Sequence, residues 1–205
     1  MMRNRKPTGQ KVRKTNIRKI LPKIIIICEG ETEELYFNKL IQLLRLTFIQ
    51  VKSVVSHKGS APISVVQSAI EKQQTEVTNK GMVNRFENIF CVIDQDSHDH
   101  QTALDEISKY NKLYTYNVFI TRVYSNPCFE YWLLLHVKLS TKPYQKIGDK
   151  SIGDLCEHDL KHSIDKLNTY DKTNIDVFMP FFYENLSVAL NNAQIARTSS
   201  IERCD

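Results

Sequence analysis

The chain has 205 residues, 41% hydrophobic and 25% charged, which is enough apolar material for a sizeable core and excludes a linker. Net charge is +5, yet residues 1–23 hold nine Lys and Arg and no acid, so the other 182 carry 19 basic and 23 acidic groups, a net charge of −4. The basicity is therefore a property of the N-terminal arm.

That arm, residues 1–22, includes RNRKPTGQKVRKTNIRK and has almost no apolar periodicity. It is expected to be poorly ordered alone and to bind a polyphosphate backbone by counterion release, the alternative being a solvated terminus that aids solubility. The run KIIIIC then predicts a strand buried on both faces, as in a parallel sheet, with a turn at Gly30. Thr32 can cap a helix with Glu33 and Glu34 in its first turn. Leu35, Phe37, Leu40, Leu43 and Leu44 extend that helix over about 32–46.

FIQVKSVV alternates as a strand, HKGSAP breaks it, and ISVVQSAIEKQQ resumes a helical period through Ile63, Val66, Ala69 and Ile70. NIFCVID is a second apolar run ending in acid, ALDEISKY a short amphipathic helix, and NVFITRVY a fourth strand. Alternating strands and helices with right-handed crossovers build an α/β, Rossmann-like core over 23–125, a mostly parallel four-stranded sheet flanked by helices.

From residue 126 the pattern changes. NPCFEYWLLLHV reads as a dense apolar helix opened by Asn126 and Pro127. Leu155, Leu160, Ile164 and Leu167 imply another, and a last helix covers 186–196. Residues 126–205 are thus a C-terminal helical region packed on the core. The five cysteines, Cys28, Cys91, Cys128, Cys156 and Cys204, are widely spaced and contain no CxxC pair, which fits reduced thiols in a cytoplasm. The apolar run at 24–28 is too short for a signal peptide or a membrane span, so no membrane association is expected.

In open α/β sheets the ligand site lies beyond the carboxyl ends of the strands, and two strands here run into acids: IIIIC into Glu29 and FCVI into Asp94. Asp94 and Asp96 are two residues apart, so on extended backbone both project from one face. Glu29, Asp94 and Asp96 offer Mg²⁺ the hard oxygens it favours and leave positions for phosphate oxygens. Glu33 either approaches the same metal, or a second one, or is a first-turn acid answered by the helix dipole. Glu31 and Glu34 read as structural. Ser97, His98, Asp99 and His100 read as a solvated loop rather than a transition-metal site. His57 and Lys58 could reach a phosphate, though a polar turn is the simpler reading. Glu130 sits amid SNPCFEYWLLL, where an unpaired charge would be costly, so it must find a partner or face the site. Trp132, Leu133, Leu134 and Leu135 belong to the core.

IIIICEGETEELYF, FCVIDQDSH and SNPCFEYWLLLH, in this order, resemble the RloB family, a Toprim-related group of bacterial and archaeal defence and restriction loci. The resemblance covers roughly 22–175 and includes LKHSIDKLNTYDK, similar to the family's late helix ending in Tyr and Lys. It implies a Toprim core in which Glu29 is the glutamate that moves protons or binds metal, and Asp94 and Asp96 are the metal-binding aspartates. Related nucleases of the OLD type use a second glutamate, which falls on Glu33. Gln95 departs from the pattern, standing where many relatives carry a basic residue. The implied activity is a Mg²⁺-dependent nuclease, with Mn²⁺ as a substitute, cleaving DNA or RNA, tRNA included, as an antiphage or abortive-infection effector. A defence-system partner protein and a homo-oligomer are compatible with it. The competing class is a non-catalytic nucleic-acid-binding module. A phosphatase reading of DQDSH fails because that chemistry places its nucleophilic Asp after the first strand, where Glu29 stands.

Overall fold

The computed structural model describes residues 21–54, 61–95, 100–113 and 117–201. Four strands, β1 (Ile24–Cys28), β2 (Ile49–Ser53), β3 (Asn88–Asp94) and β4 (Ile120–Ser125), form one sheet in the order β2-β1-β3-β4, with every neighbouring pair parallel. Three helices make the crossovers: α1 (Glu31–Leu43), α2 (Pro62–Lys80) and α3 (Gln101–Leu113). Side chains of β1 alternate between faces. Ile25 and Ile27 enter the larger core with Val65, Val66, Ala69, Ala103 and Ile107 of α2 and α3, whereas Ile26 and Cys28 pack with Phe37 and Ile41 of α1. The sheet is therefore covered on both sides, as the apolar runs require.

α1 departs from its expected bounds at both ends. Gly30, not Thr32, is the N-cap, with extended backbone and no side-chain cap; Thr32 lies inside the helix, whose first turn holds Glu31, Glu33 and Glu34. The helix stops at Leu43 because Arg45 adopts the left-handed conformation, φ 56°. The N–H of Arg45 donates to the Gln42 carbonyl and that of Leu46 to the Ile41 carbonyl, a Schellman closure built without glycine. Leu35 and Leu44 are exposed, and Glu33 and Tyr36 take the buried positions.

The C-terminal region is helical but divided differently from expectation. Cys128 is extended, so α4 starts at Phe129 rather than at Asn126 or Pro127 and spans only Phe129–Leu135. α5 (Ile152–Lys161) is opened by a capping box in which Ser151 and Asp154 exchange side-chain and backbone hydrogen bonds. Ile164 and Leu167 fall outside it, because the backbone of Ile164 is extended and Leu167 ends a short 3-10 turn. α6 (Ile175–Glu184) was not foreseen, and α7 (Leu186–Ile201) is longer than 186–196. A second core joins Tyr36, Phe37 and Leu40 of α1 to Phe129, Leu133 and Leu134 of α4, Leu160 of α5 and Phe178, Met179 and Phe182 of α6. α1 is thus wedged between the sheet and the C-terminal helices, with the first turns of α1 and α4 at the same end. No described helix is long and apolar enough to cross a membrane.

Candidate active site: an acidic crevice at the sheet switch point

In the order β2-β1-β3-β4 the chain leaves β1 toward one edge of the sheet and β3 toward the other. The crevice at such a reversal lies outside the carboxyl ends of β1 and β3. Glu29 follows β1 directly and Asp94 is the last residue of β3, paired in register with Ser125 of β4. The Asp94 backbone N–H donates to Oε2 of Glu29 at 3.3 Å, so the two strand ends are tied by the carboxylate of one of them.

Two helices add acids to this point. Glu33, in the first turn of α1, is only 6% exposed and turns its carboxylate back onto its own backbone N–H. Glu130, in the first turn of α4, is 7% exposed, and its Oε1 pairs with the Lys172 ammonium at 2.6 Å. Burial of a carboxylate without a full set of partners favours its neutral form, and like charges nearby push the same way. Asp94 is raised to about 8 by burial and then by the charges of Glu33, Glu130 and Glu29, partly countered by the Phe129 N–H. Glu33 is raised to about 7 by burial, with Glu130 and Glu29 adding to it and its own N–H and Lys172 opposing. Lys172 is itself raised: desolvation opposes its charge, but the hydrogen bond to Glu130 and that carboxylate's charge outweigh it.

The four acids Glu29, Glu33, Asp94 and Glu130 therefore act on one another electrostatically, with one lysine among them. Glu130 does find a partner, and it also faces the site. Glu31 is exposed, and Glu34 is structural: its Oε2 accepts the Ser53 backbone N–H at 2.8 Å and the Ser53 hydroxyl, binding α1 to β2. Gln95 is exposed and prolongs the ladder, its N–H donating to the Ser125 carbonyl at 2.8 Å. Trp132 is half-buried and Leu133, Leu134 and Leu135 are buried, as core residues should be. Asp96, Ser97, His98, Asp99, His57 and Lys58 lie outside the described residues. His100 stands before α3 with its ring edge against Tyr124.

Among the described residues no group of three His, Cys, Asp or Glu side chains forms a ready-made metal site. The donors at the strand ends nonetheless fit a hard divalent cation. Oδ1 of Asp94 is buried and has no hydrogen-bond partner among the described residues, and it lies among carboxylates whose mutual repulsion a cation would relieve.

Sequence reasoning missed two neighbours of this crevice. Lys172 stands at the start of a 3-10 turn, and Tyr170, 1% exposed, has a hydroxyl that is unpartnered among the described residues and whose pKa is raised by burial and then by Glu130. Neither ends a helix, since α5 stops at Lys161. The signal was present only as the string TYDK within the family resemblance. A family model described as RloB-like protein matches residues 24–203, and the chain belongs to that family. No curated protein and no solved structure matches it.

Proposed function

We propose that this RloB-like protein is a Mg²⁺-dependent nuclease of the Toprim type, an antiphage or abortive-infection effector that hydrolyses phosphodiester bonds in DNA or RNA, tRNA included, in the cytoplasm. The observation that carries the reading is Asp94, a strand-end carboxylate whose buried oxygen is unpartnered among the described residues and which is surrounded by three further acids. So concentrated a negative charge is costly for a fold to maintain without a cation.

Glu29, Glu33, Asp94 and Asp96 would hold Mg²⁺, or Mn²⁺ in its place, and the bound ion supplies Lewis acidity toward phosphodiester oxygens. Glu29, oriented by the Asp94 N–H, is the proton acceptor. Glu33, raised to about 7 in the metal-free protein, would be held as the carboxylate by a bound cation. Glu130 fixes Lys172, whose side chain is 41% exposed and so can meet a phosphate oxygen from the solvent side.

The test is incubation of plasmid DNA, single-stranded DNA and bulk tRNA with Mg²⁺ or Mn²⁺. The expected result is cleavage of at least one substrate by the unmodified protein and none by Asp94→Asn. Binding without metal-dependent cleavage would favour the non-catalytic module instead. Removal of residues 1–19 should weaken binding and flatten its salt dependence, because fewer phosphates are neutralised.

A further inference from the structure

Among the described residues, the two acids carried by helices share a feature that the strand-borne pair lacks. Gly30 has φ −118° and ψ 166°, a conformation open to any residue, so backbone geometry does not explain the glycine. A Cβ built there would stand 2.6 Å from Oε2 of Glu33. Gly153, in the first turn of α5, has no helical reason to be glycine either, since alanine is the better helix former. A Cβ there would stand 3.1 Å from Oε2 and 3.4 Å from Cδ of Glu130.

We propose that Gly30 and Gly153 are positioning residues: their missing Cβ atoms are the seats that let the carboxylates of Glu33 and Glu130 lie against backbone at the crevice. In each case the atom that must yield to a methyl group is the carboxylate itself, at the end of a flexible side chain. Substitution therefore moves the acid and leaves the fold. Gly153 lies in α5 and Glu130 in α4, so one seat is made by the C-terminal region. The inference rests on the crevice being a metal site, and its test separates the two ideas.

Mn²⁺ affinity should be measured by calorimetry on the full chain for Gly30→Ala, Gly153→Ala, Glu33→Asp, Glu130→Asp and the doubles Gly30→Ala/Glu33→Asp and Gly153→Ala/Glu130→Asp. Each glycine replacement should weaken Mn²⁺ binding roughly tenfold, the scale of a lost supporting contact, with cooperative melting preserved. In each double the shorter acid should recover much of that loss, although it weakens binding when introduced alone. Glycine variants that bind as the parent does, or doubles that merely add their losses, would overturn the seating. If the parent shows no Mn²⁺ binding dependent on Asp94, the metal reading fails. The seating is then read from melting of the same metal-free proteins, where non-additive changes support it and additive ones refute it.

Discussion

The strand-borne and helix-borne halves of the crevice are built by different physics. Glu29 and Asp94 are placed by the sheet: each follows a buried β-branched run, and parallel pairing carries both ends to the same edge. Glu33 and Glu130 are placed by helices: each lies in a helix's first turn and is almost fully buried, Glu33 beside its own N-cap Gly30 and Glu130 beside Lys172 and Gly153 from elsewhere in the chain. The sheet fixes the strand-end carboxylates, and docked helices set the charge around them. The lesson is that the second half can be tuned or damaged without disturbing the first.

The largest expected effect separates chemistry from stability within the strand half. Asp94→Asn should abolish cleavage and yet stabilise the metal-free protein at pH 8, because it removes a charge that three other acids repel. Loss of activity accompanied by a lowered melting temperature would break the comparison. Next, the two halves should respond differently to metal. Glu29→Gln should stay inactive at every Mg²⁺ or Mn²⁺ concentration if it moves protons, whereas Glu33→Gln should regain activity in excess metal if it only adds a ligand. Identical rescue curves would erase the distinction.

A smaller effect concerns the lysine that holds the helix half. Lys172→Met leaves Glu130 buried beside other acids and should cost about 1–2 kcal/mol in urea unfolding, less than a fully buried pair because Lys172 is well exposed. Adding Glu130→Gln should return most of that stability. The metal-free protein should also show a pH slope. Asp94, raised to about 8 from the usual 3.8, and Glu33, raised to about 7 from the usual 4.5, bind more protons folded than unfolded across these windows. Stability therefore falls as pH rises from about 4 to 8, the sense opposite to that of salt-bridged carboxylates. Urea midpoints at pH 5 and pH 8 measure it, and the difference should shrink in Asp94→Asn.

The same contrast marks what the sequence discloses. All four strands and three crossover helices were legible because KIIIIC and NIFCVID stand out from their surroundings, and the acids that follow them were found by the same signal. α6 was not, because IDVFMPFFYE is apolar on nearly every side and contains Pro180, so the buried stripe of Ile175, Phe178, Met179 and Phe182 does not stand out from its neighbours. Lys172 and Gly153 were invisible as site residues for another reason. Their partner Glu130 is distant in the chain, and only the packing of α5 and the turn after it brings them to the carboxylate. The early end of α1 was hidden too, since Arg45 takes a conformation that sequence reserves for glycine.

The central claim is that the carboxyl ends of β1 and β3 form a divalent-cation site, and the most direct measurement is anomalous scattering from crystals soaked in Mn²⁺. The account predicts a manganese peak in the crevice against the Asp94 carboxylate, absent in Asp94→Asn crystals treated alike. Crystals that bind manganese elsewhere, or a peak that persists unchanged in Asp94→Asn, would contradict it.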